Sequence, residues 1–554
     1  MKLKALKPRL HNIVFHTHTV SGIVISFALF IIFYAGAVAL FMEELYPWEN
    51  PEARFEAPPP TDVDYDRILT IIQNENPNFD TSYRFSLVPP KKTDPFVHLY
   101  GYQKTTDGTS ERFEAQIHPI TYKIHTTGEP KTHMARTLYE LHFFHQIPVA
   151  GLYISGFVAF FFLFAIITGV LTHWKNIITK FYAFTVKGKW KQIWTNGHVS
   201  LGFIALPFQI IYAVTGALLG LSILLLAPSA FLMFDGDTNE IIKAVRPDAG
   251  ITYDKNAKVI EGQVSLNSIY SELTETYPNK EVTLLYSTNF GKEDGTVNAR
   301  IDDLTGIAGD GIFVYSYKTG ELLQAVQPDD KSYSEGAYGV LIKLHYATYG
   351  GLFLKIIYFI LAMITCYIII SGVMIWRTAR DNKRYTEAQR RFHHRVTKVY
   401  LAITLSMFPA LALIFIANKI VPLAVADRIV YVNTIFFLGW LSLSIAGLYW
   451  NNYRALNRNY ILIGGVLGLL IPVANGLVTG DWIWITLVNQ QYYIFCVDMT
   501  WLIIGISSLL FCFSYSKLKD ETKNQSSSDK EKKNTKSKTH VKPPTPVLQN
   551  FVKN

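Results

Sequence analysis

The sequence predicts a mainly α-helical integral membrane protein with eight transmembrane helices, the first four forming a duplicated helix–outer domain–helix unit. Three observations predict it. Apolar residues are gathered into long runs, the segments between runs alternate between basic and acidic, and a pattern of histidines and glycines recurs at fixed offsets.

The chain has 554 residues, 49% of them hydrophobic, a net charge of +9 and a positive mean hydropathy. Eight runs, at about 20–42, 149–172, 200–230, 352–376, 399–417, 430–450, 460–479 and 492–514, approach or exceed the ~20 residues that cross a hydrocarbon core. FALFIIFYAGAVALF and FVAFFFLFAIITGVL carry no charge over 15 residues, which a soluble core helix seldom does.

Charge orients these spans. Residues 1–10 hold Lys2, Lys4, Lys7 and Arg9 without an acid, and the 174–197 loop has five Lys and no acid. The 377–398 loop has eight Lys or Arg against two acids, and Arg454 and Arg458 lie in the next short turn. By contrast 43–141 carries sixteen acids to ten bases, and 231–343 eighteen to ten. Short basic connections face the cytoplasm, so both termini lie inside and the two large acidic segments lie outside. The basic balance is a membrane-orientation signal, and nucleic-acid binding is excluded. The first apolar run is too long for a signal peptide and has no small-residue cleavage site, so it reads as an uncleaved span. Cys366, Cys496 and Cys512 all fall within spans and offer no disulfide framework.

The predicted organisation is an N-terminus with a first span (1–43), outer domain one (44–140), spans two and three with a basic loop (141–230), outer domain two (231–343), span four (344–378), a basic loop with spans five to eight (379–516), and an unstructured cytoplasmic tail (517–554). Each outer domain reads as one helix followed by three strand-like runs. The first has YDRILTIIQNENP before SYRFSLV, FVHLYGY and RFEAQIHPITYKI; the second has LNSIYSELTETYP before EVTLLYS, TVNARID and GIFVYSYKTGELL.

The repeat carries the chemistry. His18 precedes Gly22 and Gly36 by 4 and 18 residues, and His198 precedes Gly202 and Gly216 by the same offsets. Leu141-His142 precedes Gly169, and Leu344-His345 precedes Gly372, both by 27 from the histidine. Two parallel copies related by an axis along the membrane normal would oppose His18 to His198 near the cytoplasmic face and His142 to His345 near the outer face. Opposed imidazoles are the axial pair of a b-type haem, and glycine leaves room for a flat macrocycle or a close neighbour. No C-x-x-C-H attachment site exists, so two non-covalent b-type haems are expected. His173 is an alternative partner for His198, His145 an alternative at the outer site, and His16 and His11 lie near the first span. His393 and His394 read as surface residues of a basic loop, and Asp498 as a water-facing or packing group. A lone histidine of this kind is more often solvated; the duplicated positions raise the reading to ligation. Twenty-seven residues of continuous helix rise ~40 Å, which predicts two sites at opposite membrane faces and too far apart for fast direct electron transfer.

At HTVSG (His18–Gly22), LHFFHQIPVAG…ITGVLTHWK, GHVSLGFIALPFQIIYAVTGALLG and LHYATYGGLFLKIIYFILAM…ISGVMIW the sequence resembles the PepSY-associated transmembrane helix family. The outer segments look like PepSY domains, with DYDRILTIIQ and YSYKTGELL as signatures, and the likeness covers about residues 10–378. Members include inner-membrane ferric-siderophore reductases with two b-type haems on histidines of the first four spans. The resemblance therefore implies a bacterial inner-membrane electron-transfer oxidoreductase with its PepSY-like domains in the periplasm. It would reduce a ferric siderophore or other iron chelate, with electrons from a quinol or flavoprotein. Spans five to eight depart from compact four-helix members and imply docking, oligomerisation or donor binding. The alternatives are a haem-free PepSY scaffold or regulatory protein, and an iron-chelate or haem transporter. No G-x-G-x-x-G or Walker pattern sits between strand and helix, so direct nucleotide binding is not expected.

Overall fold

In lipid, apolar runs satisfy their backbone polar groups only as helices or closed barrels, and this chain uses helices. The computed structural model describes residues 6–128, 132–182, 184–185, 190–237, 240, 242–243, 246–254, 256–261, 264–302 and 306–537.

Helix α1 (Pro8–Ala39) leads through the short neck α2 (Met42–Glu49) to α3 (Tyr65–Glu75) and strands β1 (Phe85–Val88), β2 (Val97–Lys104), β3 (Ser110–Ile117) and β4 (Ile124–Thr127). The chain returns through α4 (Met134–His142), α5 (Ala150–His173) and the short α6 (Ile177–Phe181). Next come α7 (Trp190–Ile204) and α8 (Leu206–Met233), then α9 (Leu266–Thr276), β5 (Glu281–Thr288), β6 (Thr296–Asp302), β7 (Gly311–Ser316) and β8 (Leu322–Val326). Helices α10 (Tyr333–Tyr346) and α11 (Gly351–Arg380) complete this part, and α12 (Glu387–Leu405), α13 (Met407–Ile420), α14 (Arg428–Gly447), α15 (Tyr453–Thr479), α16 (Ile483–Val488) and α17 (Tyr492–Ser537) follow.

Among the described residues seven helical segments are long and apolar enough to cross a membrane, and α7 with α8 makes an eighth if the bent pair counts as one span. That pair turns by 71° around Ala205, where Pro207 opens α8 and removes a backbone donor from the ladder. α12 and α13 together form one crossing of 34 residues. Helices α1, α5, α8 and α11 pack into one bundle, α13, α15 and α17 into another, and α2 leans on α17 between them.

Outside the bundles the two strand sets do not stay apart. They form one eight-stranded antiparallel sheet of order β4-β3-β2-β1-β5-β6-β7-β8, joined where Phe85, Ser86 and Leu87 pair with Ser287, Tyr286 and Leu285. Each predicted third strand is split in two, by the turn before Tyr122 (φ 58°) in one case and by Gly320 (φ 77°) in the other. Helices α3 and α9 cover one face over a core that includes Ile68, Leu87, Leu99, Leu273, Leu285 and Ala299. Their N-termini cap each other. Asp66 accepts from Ser265 Oγ at 2.6 Å and from the Leu266 amide at 2.8 Å, while Asn267 Oδ1 accepts from the Tyr65 amide at 2.7 Å.

A further departure concerns helix ends. His142 and His345 do not lie in the continuous spans α5 and α11 but at the ends of the short helices α4 and α10. Left-handed residues at Phe144 and Val149, and at Ala347 and Gly351, break the chain between them. The expected tail from Lys517 starts inside α17, which runs to Ser537. Residues 538–554 lie outside the described residues.

Candidate functional site

The repeated histidines meet in two pairs. The His18 and His198 rings stand 6.2 Å apart between centroids, at 71°, and the His142 and His345 rings 6.0 Å apart, at 49°. His173 ends α5, the helix whose Ala165 carbonyl and Gly169 receive the His18 ring. His16 is exposed against Phe15, and exposed His145 touches Phe143. His393 packs on Trp376, and His394 Nδ1 bonds the Tyr453 hydroxyl at 2.7 Å, so both brace the basic loop.

The glycines explain how the rings fit. A Cβ on Gly36 would lie 2.5 Å from His142 Nδ1, on Gly169 3.1 Å from His18 Cε1, and on Gly372 3.2 Å from His198 Cε1. These three make room for an imidazole from the neighbouring helix. Gly216 does not; its Cβ would meet Ala159, and His345 instead bonds the adjacent Thr215. Gly22 and Gly202, one turn beyond His18 and His198, have nothing within 4 Å of a built Cβ.

Hydrogen bonding fixes the tautomer. His18 Nδ1 lies 2.8 Å from the Ala165 carbonyl, His142 Nδ1 2.7 Å from that of Ile32, and His198 Nδ1 2.9 Å from that of Ile368. A carbonyl only accepts, so each Nδ1 carries the proton. His345 Nδ1 lies 2.9 Å from Thr215 Oγ1, which donates its own proton to Ile211 O and so accepts from the ring. In a neutral imidazole the lone pair is then on Nε2 in all four.

Helix α1 measures the distance between the pairs. His18 sits on it directly, and His142 packs against Ile32 and Gly36 of the same helix. Fourteen to eighteen residues rise ~21–27 Å, so the pairs are much closer than the ~40 Å expected from one unbroken helix. The break before α5 folds His142 back along the bundle.

A cavity of about 420 Å³ opens beside the outer pair, within the ~300–1,000 Å³ usual for ligand pockets. Its lining is mostly apolar, with Leu29, Phe33, Phe162 and Phe208 below and Tyr139 and Tyr346 above. The two tyrosine hydroxyls lie 3.2 Å apart. Buried Lys355 also reaches the cavity and is paired with Glu44 at 2.7 Å.

A second polar cluster was not visible in the sequence beyond Asp498. Of the two roles expected for it, packing holds: Asp498 is fully buried and accepts from Trp48 Nε1 and Asn475 Nδ2, both at 2.8 Å. Lys419 donates to the Trp48 carbonyl and lies 4.0 Å over its ring, and Arg54 pairs with Asp481. Ionisable groups in apolar helices mark such sites, and Lys419 in IFIANKIV was the available signal. Here they fasten the neck α2 into the second bundle.

Among the described residues no cluster of three or more His, Cys, Asp or Glu is arranged to hold a metal ion. Two histidines would leave most of a metal's coordination to another group, and the ring spacing fits two imidazoles sharing one ion. A metal–imidazole bond of about 2.0 Å on each side of a shared ion, plus the ring half-widths, separates two centroids by about 6 Å.

Helical spans of this length and composition define a multi-pass membrane protein with a mixed α/β domain outside its helices. Its sequence matches the family model described as PepSY-associated TM region over residues 15–379, and the chain belongs to that family. None of the curated proteins searched matches it.

Proposed function

We propose that the first four spans are two copies of one unit, and that they hold two b-type haems, one between His18 and His198 and one between His142 and His345. The protein would then be a transmembrane electron conduit that reduces ferric iron, bound as a siderophore or other chelate, on the side of the sheet domain. The observation that carries this reading is the shared tautomer: four paired rings, each with Nδ1–H bound to an acceptor and Nε2 left for another ligand. A metal-bound histidine is held in this way, and the acceptor raises its basicity.

The strand order supports the duplication, since the sheet reads identically outward from its β1–β5 centre. The basic loops lie at the helix ends opposite the sheet, which supports cytoplasmic termini and a periplasmic sheet in an inner membrane. When bound, the haems supply one-electron chemistry at potentials set by their ligands and surroundings. The chain orients the imidazoles, excludes water with apolar helices and keeps the two pairs ~21–27 Å apart along α1. No cleft divides the two strand sets, so the chelate is expected at the rim formed by Tyr139 and Tyr346 above the outer pair. Reduction favours release because hard oxygen chelators suit ferric better than ferrous iron.

The test is vectorial reduction in proteoliposomes, with reductant enclosed and a ferric chelate outside. Wild type should reduce the chelate, and His198→Ala and His345→Ala should each stop it while still inserting. Equal rates in all three proteins would refute the conduit.

A further inference from the structure

The spans beyond the family match end in a cytoplasmic face that the haem sites do not explain. It is built where the α11–α12 connection and the start of α15 meet α7. Its 377–398 stretch carries eight bases and two acids, and both acids are paired: Asp381 with Arg377 at 3.3 Å and Glu387 with Arg391 at 2.7 Å. Arg390, Arg395 and Arg454 are exposed around them.

The face is held rigidly. Lys398 Nζ donates to the Leu448 carbonyl at 2.6 Å, the Tyr453 ring lies under Arg377 at 5.1 Å, and its hydroxyl reaches His394. Arg454 in turn lies 5.1 Å over the ring of Trp190, which is 53% exposed. From Trp190 an aromatic series leads inward. Trp190 to Trp194 is 6.1 Å and Trp194 to Tyr367 is 6.1 Å, and the next residue, Ile368, accepts the His198 Nδ1 proton.

Anionic lipid is the ordinary partner for bases next to a span, but length argues against it here. The 34-residue crossing Glu387–Ile420 rises ~51 Å, against a hydrocarbon core of ~30 Å with headgroup layers of roughly 5–8 Å on each side. Its apolar stretch begins at Val399, so Arg390 and Arg391 stand ~12–14 Å further along the helix, beyond the headgroups.

We propose that this face docks a small acidic electron-carrier protein, with Arg390, Arg391 and Arg454 supplying the charge and Trp190 the apolar centre. The proposal rests on the conduit reading and gives the added helices their purpose, which is to present the donor beside the inner pair. Charged rims of this kind steer encounter and make binding sensitive to salt. An exposed tryptophan with an arginine over its ring has the composition of an interface centre.

The test uses the full chain in neutral-lipid nanodiscs, oxidised flavodoxin as an acidic probe, and cytochrome c as a basic control of similar size. Affinity is read by biolayer interferometry, and haem content is measured separately on the same sample. Flavodoxin should bind and cytochrome c should not, with affinity falling about tenfold or more as salt rises through the range where the Debye length shrinks below ~8 Å. Arg390→Glu combined with Arg391→Glu should weaken binding about tenfold or more, Trp190→Ala should weaken it at all salt concentrations, and Arg112→Glu on the distant strand β3 should leave it unchanged. Absence of flavodoxin binding, equal binding by the reversed protein, or charge-dependent retention on phosphatidylserine vesicles alone would overturn the proposal. Because docking of an oxidised carrier needs no haem, loss of docking with haem intact sinks only this inference. Docking without haem sinks only the conduit.

Discussion

Gly36→Ala should empty the outer site while leaving the inner one filled. The added Cβ would lie 2.5 Å from His142 Nδ1 and 2.7 Å from Cε1, where ordinary contacts are 3.4–4 Å. The ring must therefore withdraw by about 1 Å, which costs about 1–3 kcal/mol of overpacking. Withdrawal also breaks its 2.7 Å hydrogen bond to Ile32, about 0.5–1.5 kcal/mol more. Together these give about 1.5–4.5 kcal/mol, or roughly 12- to 1,600-fold in affinity for whatever His142 and His345 share. Gly336→Ala in α10 is the control: its Cβ meets nothing within 4 Å, and alanine in a helix gains about 0.5–1 kcal/mol over glycine. Haem per chain, measured by pyridine haemochrome, should fall from two towards one in Gly36→Ala and stay at two in Gly336→Ala. If Gly36→Ala keeps both haems with an unchanged spectrum, the packing argument at the outer pair is wrong.

Thr215→Val keeps the side-chain shape but removes the acceptor of His345 Nδ1; a less basic imidazole should raise the potential of one haem by tens of millivolts, visible as a shift of one wave in a spectroelectrochemical titration. Trp48→Phe keeps a ring under Lys419 but leaves buried Asp498 without its indole donor, so the melting temperature in detergent should drop by the equivalent of about 1–3 kcal/mol, and unchanged melting would argue that α2 is not fastened there. His133, at the N-terminus of α4, has its pKa pushed down to about 4 by burial and by nearby Arg136. The folded protein then binds fewer protons than the unfolded chain between pH 6.5 and 4, so stability is constant above pH 6.5, falls across that window and levels below it. His133→Gln should remove up to about 2–3 kcal/mol of this acid sensitivity, checked by melting wild type and variant at pH 7 and pH 5.

The spans were legible because each needs only a local property, an apolar run long enough to cross lipid. The histidine pairs were legible because the offsets from His18, His198, His142 and His345 repeat, and the fold brings those positions together. What escaped was non-local or conformational. The break that separates His142 from α5 rests on two left-handed residues, Phe144 and Val149, neither of them a glycine that would have marked it. The single sheet depends on β1 pairing with β5, residues about 200 apart, and each strand set read alone looks complete. The glycines were ambiguous for a different reason: sequence shows that something must come close, and only packing shows that at Gly36, Gly169 and Gly372 it is an imidazole. The cluster around Asp498 draws on α2, α13, α15 and α17 at once, so no single stretch announces it.

The account stands on each pair of rings binding one iron between them. Low-temperature electron paramagnetic resonance of the oxidised, purified protein reads this directly. Two low-spin bis-imidazole signals per chain are predicted, with one lost in His18→Ala and the other in His142→Ala. A protein without such signals, or with both signals intact in both variants, would contradict it.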